Sequence, residues 1–262
     1  MTTHNHRPLL DDIVLDYGPL PILSSALLTG YELARQRGIQ LSFESLDTLL
    51  DVNKLHADTW LPITPTYDPR FWRGDQENAF CIVGRNESGE IVATQALRVF
   101  DWTPATSFGK EAQGLRIFYL DPGRDALAGE SCEVTAQSTF RINGRVALSG
   151  GIWFRPDYRG RRLTGLMVRM GRAYAIGKFG IQWNTAVMTQ QVHAKGLSRQ
   201  VGHTHVDQWL EWRNSRLGEH VRLHVMAMTV PEVLADLEAT LAGDAEAVRP
   251  PERDVGVDEG RA

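Results

Sequence analysis

An apolar run from Arg145 to Phe154 stops at Pro156, crosses a short turn written YRGRR, and re-emerges as a helical pattern from Leu163 to Ile176. No other feature narrows the fold as much. Proline has no N–H to give a strand ladder, so the strand ends there. Leu163, Leu166, Met167, Met170 and Tyr174 then recur at helical spacing on one face. A strand feeding a helix through a short loop aims unpaired backbone N–H groups and the positive end of the helix dipole at one point, which suits an anion. Between Arg155 and Arg172 six arginines accompany a single acid, Asp157, in a chain of formal net charge -4. Arg169 and Arg172 read as the solvated face of an amphipathic helix. Arg159, Arg161 and Arg162 crowd the first turn, where positive charge opposes the dipole unless an anion offsets it, and these three are assigned to anion binding.

With 262 residues, 42% of them apolar, the chain can bury a substantial core. We expect one domain over 19–241, a flexible lead-in over 1–18, an insertion around 101–143 and a disordered, charged tail over 242–262. The acidic total argues against a basic coat for nucleic acid, and the arginine-bearing helix lacks the partner helix of a helix-turn-helix reader. Cys81 and Cys132 are too few for a disulfide scaffold, and they read as two buried thiols. The spacings of His203, His205, His220 and His224 match no zinc arrangement, so no metal is expected. The N-terminus lacks the pattern of a signal peptide and no run is long enough for a membrane span, which places the expected site of action in the cytoplasm.

Along the chain, Ile22–Arg37 reads as a helix stopped by Gly38, 39–43 as a short strand, and Ser45 opens a second helix toward Trp60. A proline-rich loop with Trp60, Tyr67, Phe71 and Trp72 follows, either as a substrate pocket or as a loop tied to the core. Strands are expected at 79–84 and 91–100, joined through Asn86–Gly89, and again within GLRIFYLD and SCEVTAQSTF. After the arginine-bearing helix come a strand at 183–188, a helix at 192–200, strands at 206–212 and 221–228, and a helix at 231–241.

This order of elements, together with YRGRRLT, resembles the GNAT superfamily of acyltransferases. That family carries an Arg/Gln-x-x-Gly-x-Gly/Ala loop between a central strand and a helix, where backbone N–H groups hold the pyrophosphate of acyl-CoA. The matching positions here are Arg159, Gly160, Arg161, Arg162, Leu163 and Thr164, so Arg162 and Thr164 replace the two small residues and the loop is altered. Downstream, the family's Asn-x-x-Ala-x-x-x-Tyr-x-x-x-Gly-Phe pattern finds Gln191, Ala194, Ser198 and Gly202-His203. The resemblance covers roughly residues 40–228 and implies a mixed α/β fold, a mostly antiparallel twisted sheet flanked by helices.

It also implies transfer of an acyl group from acetyl-CoA or another acyl-CoA to an amine, with the thioester lying along the strand that ends at Phe154. Two alternatives remain: a GNAT fold that binds or senses without catalysis, and a synthase of N-acyl amino acid or acyl-homoserine-lactone type that takes its acyl group from acyl carrier protein. The family often uses a tyrosine on the later helix as the acid, but every tyrosine here lies at or before Tyr174, and Ser198 holds that position. His193 is a second proton donor or acceptor near neutral pH. Glu133 is a base if its strand is buried, and a solvent-facing residue if the strand alternates.

Overall fold

The computed structural model describes residues 7–102 and 105–248, the side chains of 244–248 excepted. In chain order the elements are α1 (Leu20–Gln36), β1 (Gln40–Glu44), α2 (Leu46–Leu55), β2 (Ala79–Arg85), β3 (Ile91–Trp102), α3 (Phe108–Gln113), α4 (Pro122–Asp125) and β4 (Ser131–Val134). The second half contributes β5 (Gly144–Phe154), α5 (Leu163–Phe179), β6 (Trp183–Thr189), α6 (Gln190–Ala194), α7 (Leu197–Gln200), β7 (His205–Ser215), β8 (Gly218–Thr229) and α8 (Val230–Val248). All eight strands join one sheet in the order β1-β2-β3-β5-β6-β8-β7-β4. Only β5 and β6 are parallel, because the helix α5 carries the chain back between them; every other pair is antiparallel. The expected class, a mixed α/β fold with a mostly antiparallel sheet flanked by helices, is the observed one.

Helices α1, α5 and α8 cover one face of this sheet around Leu27, Leu97, Met167, Met170 and Met228. The other face is closed by α3, β4 and their loops around Phe108, Phe118, Leu148, Trp212 and Val225. Local chemistry starts and stops the elements as expected in several places. Ser45 caps α2 by accepting the Thr48 N–H at 3.2 Å. Glu232 reaches back to the start of α8 as in one half of a capping box, its Oε2 accepting the Thr229 N–H at 2.8 Å and the Thr229 hydroxyl at 2.7 Å. The α8 helix runs past Leu241 to Val248, so 242–248 is helical where a tail was expected, and 249–262 lies outside the described residues.

Several elements differ from the sequence reading. Residues 114–121 turn rather than extend, because Leu115 at φ 60 reverses the chain and sends Phe118 to stack on Trp212 at 3.8 Å. Only Ser131–Val134 of SCEVTAQSTF is a strand, and Gln137–Arg141 coils into a 3-10 turn. The helix expected over 192–200 is broken at Gly196 (φ 78) into α6 and α7. The lead-in is packed from residue 9 onward: Leu9 is buried, and the Asp16 and Tyr17 amides donate to the Gly177 carbonyl at 2.7 and 2.8 Å. Helix α5 is buried nearly all round, between the sheet and α1 and α8, rather than on one face. Among the described residues no helix is long and apolar enough to cross a membrane, and no cluster of His, Cys, Asp and Glu could hold a metal ion.

Candidate active site

Strands β5 and β6 pair only from Val146–Trp183 to Ser149–Ala186. Beyond that point β6 follows β8 to Thr189, whereas β5 bends away. The bend comes from an irregularity opposite Gln95: the ladder to β3 jumps from Thr94–Trp153 to Ala96–Gly150, leaving Gly151 and Ile152 without opposite partners. Gly151 sits at φ +58, and its carbonyl accepts the Thr94 hydroxyl at 2.8 Å. A wedge therefore opens between Gly150–Trp153 and Val187–Thr189, and on the β6 side the backbone of Gly150–Ile152 has no strand partner. Below the wedge the strands are stapled by Thr185 Oγ1 to the Ala147 carbonyl at 2.9 Å and by the Ser149–Asn184 side-chain pair at 3.1 Å.

Next along the chain, the loop from β5 to α5 is set by its own backbone. Gly160 (φ +80) has only open space where a Cβ would lie, and Arg162 takes a left-handed conformation (φ 57) at the N-cap of α5. No side chain caps that helix, so the N–H groups of Leu163, Thr164 and Gly165 lack intrahelical partners. The arginines of the loop do different things. Arg159 reaches back, its Nε donating to the Phe154 carbonyl at 3.1 Å and its Nη2 to the Thr59 carbonyl at 3.3 Å. Arg161 lies 4.0 Å over the Tyr158 ring, and Arg155 pairs with Asp157 and Glu90. Arg162 lends its carbonyl to Arg37 Nη1 at 2.9 Å, and no described residue pairs with its guanidinium. Leu163 is a core residue, and Thr164 is half-buried one position into the helix.

Arg169 and Arg172 are not a solvated face. Arg169 holds Asp236 of α8 through two bonds, 2.8 and 2.9 Å, and the fully buried Arg172 donates to the Val201 carbonyl at 2.6 Å and to His203 Nε2 at 3.0 Å. Burial pulls the Arg172 pKa down to about 10 against the attraction of Asp236. Burial likewise holds His203 well below its usual value, so it stays neutral and accepts from Arg172.

At the open end of β6 the sequence-predicted His193 and Ser198 do meet: Ser198 Oγ and His193 Nδ1 are 3.1 Å apart, with Ser198 buried. The α6–α7 break at Gly196 is what folds them together, since it turns the second short helix back on the first. Beneath them stands His224, which sequence reasoning dismissed along with a metal. It is buried, its ring lies 4.1 Å from that of His193 and 4.2 Å from Trp209, and its Nε2 is bonded to Gln190 Oε1. Its Nδ1 has no hydrogen-bond partner among the described residues. Burial, and then the neighbouring His193, hold its pKa below the ordinary histidine value. A histidine in the apolar run Leu223–Met228 was the available signal.

Of the other predicted residues, Gln191 is exposed on α6 beside this cluster. Phe154 buries its ring and offers its carbonyl to Arg159. Glu133 does not join the site. It is exposed on β4, the edge strand, paired with Glu211 of β7, and β7 and β8 separate it from β6. Tyr67, one of the aromatics of the proline-rich loop, ties that loop to β5: its ring packs against Gly150 and its hydroxyl donates to the Leu148 carbonyl at 3.0 Å.

No family model matches the chain, and no curated protein matches it. Solved structures do. The chain is similar in fold to solved N-acetyltransferases and to an N-acyl amino acid synthase. One is a spermidine N-acetyltransferase chimera from Vibrio cholerae and hSSAT (TM-score 0.44, 9% identity, covering 74% of this chain and 98% of the other). Others are FeeM, an N-acyl amino acid synthase from uncultured soil microbes (0.40, 11%, 74% and 93%), and Mycobacterium smegmatis RimJ in complex with CoA-disulfide (0.43, 13%, 78% and 90%). At identities this low the functional assignment is carried by the chain's own residues.

Proposed function

We propose that the chain is an N-acyltransferase that takes an acyl thioester, acyl-CoA by preference, in the β5–β6 wedge. The observation that carries this is the wedge itself, an opened pair of parallel strands with unpaired backbone on β5, lying between an uncapped helix N-terminus and a serine–histidine pair. The phosphates of the donor meet the free N–H groups of Leu163, Thr164 and Gly165 and the unpaired guanidinium of Arg162. The acyl carbonyl lies against the unpaired backbone of Gly150–Ile152, where N–H groups stabilise the oxyanion that forms on attack.

The reaction joins the amine nitrogen to the thioester carbon and breaks the C–S bond. The amine loses a proton, and the departing thiolate needs one. In this reading Ser198 gives its hydroxyl proton to sulfur, His193 Nδ1, 3.1 Å from that hydroxyl, restores it, and the proton released by the amine replaces the one His193 gives up, so that one proton passes in net from amine to thiolate. His224 packs its ring against that of His193, and burial favours the neutral form of His224.

The test is isothermal titration with acetyl-CoA, a long-chain acyl-CoA and free CoA at two salt concentrations, on the wild type and on Arg162→Ala. Saturable binding that weakens with salt and with the substitution is expected. No binding of any CoA species refutes the assignment.

A further inference from the structure

A cavity of about 590 Å³ lies between α2 and the proline-rich loop over 61–71, and Arg216 of the β7–β8 turn also lines it. Its walls are apolar and aromatic, formed by Leu50, Trp60, Pro62, Ile63, Pro65 and Phe71. Two of them are shared with the wedge. Trp60 stacks on Trp153 of β5 with ring centroids 5.5 Å apart, and Pro65 begins the turn that carries Tyr67 against Gly150. The cavity therefore borders the bent part of β5 on the sheet face opposite α5.

Its polar groups are unevenly committed. Asn53 is spent on the loop, donating to the Leu61 carbonyl at 3.0 Å and accepting the Ile63 N–H at 3.2 Å. Asp68 is buried and fully engaged by Arg70, whose backbone N–H, Nε and Nη2 all donate to it. Lys54 pairs with Asp51 on the exposed side of α2. Arg216 makes no ion pair with a described acid: its Nη2 donates to the neutral Asp125 carbonyl, while the Asp125 carboxylate is held by Arg124. The guanidinium groups of Arg216 and Arg70 lie 4.8 and 5.8 Å from the centroid of the same Phe71 ring. Of the three cations that line this largely apolar space, Lys54 and Arg70 are ion-paired and Arg216 alone lacks an ion pair with a described acid. Two arginines flank an aromatic ring there, an arrangement that recognises a carboxylate or phosphate beside a hydrophobic body.

We propose that the acceptor is an amine bearing an anionic group and an apolar body, seated in this cavity with its anion between Arg70 and Arg216. The proposal rests on the acyl-transfer reading above. It implies that the amine is presented toward β5 because the anion is anchored by the two arginines.

The full chain is titrated with phenylalanine, with phenethylamine, which lacks the carboxylate, and with phosphoethanolamine against ethanolamine. Phenylalanine is expected to bind at least tenfold more tightly than phenethylamine. A tenfold preference confined to the phosphoethanolamine pair also supports the anion site and assigns it to phosphate. Arg70→Gln combined with Arg216→Gln should remove the preference and leave acyl-CoA affinity unchanged, and Arg216→Lys should retain part of it. Equal binding within both pairs overturns the proposal, as does a preference that survives in the double variant. The same protein titrated with acyl-CoA separates the two failures. Lost anion preference with donor binding intact refutes the acceptor class alone, whereas absent donor binding refutes acyl transfer and with it any acceptor.

Discussion

Substituting Gly150 by alanine tests the bend of β5 at its tightest point. A Cβ on Gly150 would lie 2.5 Å from Tyr67 Cε2, 2.6 Å from its hydroxyl oxygen and 2.8 Å from Cζ, contacts no real methyl group tolerates. The ring has little room to yield. Tyr67 is buried, its hydroxyl is bonded to the Leu148 carbonyl at 3.0 Å, and burial raises its pKa far above the ordinary phenol value. Either the ring shifts and loses that hydrogen bond, or β5 shifts and disturbs the wedge. Overpacking of this kind costs about 1–3 kcal/mol, and loss of the buried hydrogen bond adds about 1 kcal/mol. Gly150→Ala should therefore destabilise by roughly 2–4 kcal/mol, lowering Tm by roughly 5–15 °C for a chain of this size. Urea unfolding followed by tryptophan fluorescence measures it, with an unchanged m-value expected. In a Tyr67→Leu background, which removes the ring and its hydroxyl, the same substitution should cost at least ~1 kcal/mol less. A cost within ~0.5 kcal/mol of zero, or an equal cost in both backgrounds, would refute the account of the bend.

Asp236→Asn removes the acid that faces both Arg169 and the buried Arg172, so it should destabilise by about 3–5 kcal/mol in urea unfolding. His203 and His224 both have folded pKa values below the unfolded value, so the unfolded chain binds more protons and stability should fall as pH drops through about 6.5. His203→Gln should flatten that slope in thermal melts recorded from neutral to mildly acidic pH. Glu232 sits at about 2: burial raises its pKa, but hydrogen bonds from Thr229 and Thr204 and the nearby His205 outweigh it. Its contribution is present above the unfolded carboxylate pKa and lost as pH falls toward 2, and Glu232→Gln should remove that acid-side loss. Ser198→Ala should lower kcat for CoA release by roughly 10²-fold with donor affinity unchanged, as expected for a lost proton donor. A wild-type rate would leave Ser198 a packing residue.

Much of the fold was legible because its signals are local. Short apolar runs bounded by turn residues became β2, β3, β5, β6 and β8, and Gly38, Ser45 and Thr229 bounded their helices through chemistry that acts over three or four residues. The misreadings have a common cause, which is that tertiary burial overrode a local pattern. GLRIFYLD has strand composition, yet Leu115 turns it so that Phe118 can meet Trp212, a partner nearly a hundred residues away. The helical charges at 169 and 172 looked solvated only because α8, which covers them, could not be placed from sequence. Ser198 was named from the family resemblance and His193 from its place on the same segment, and the two side chains meet, but His224 reaches them only through the β6–β8 register that puts it opposite Met188. Of the two readings of Glu133, the exposed position on an alternating edge strand is the one the fold takes, and neither edge nor centre is written in a four-residue strand.

The crowded arginines also change meaning once their partners are known. Six arginines against Asp157 suggest a strongly basic patch. In the fold, Arg155 is spent on two acids, Arg169 on Asp236, Arg172 on a buried carbonyl and a histidine, and Arg159 on two main-chain carbonyls. Arg161 rests on Tyr158, and Arg162 alone of the six keeps a guanidinium without a described partner. Under the acyl-transfer proposal, attraction for a phosphorylated donor would therefore come chiefly from the backbone, where Gly160 and Arg162 in left-handed conformations leave the first N–H groups of α5 open. It follows that Arg162→Gly, which keeps that backbone conformation and removes the charge, should bind CoA only severalfold more weakly and with a reduced salt dependence. Arg162→Val, a β-branched residue that resists φ 57, should weaken binding much more by disturbing the loop. Titration of both variants with CoA decides it, and equal affinities would return the main role to the arginine side chain.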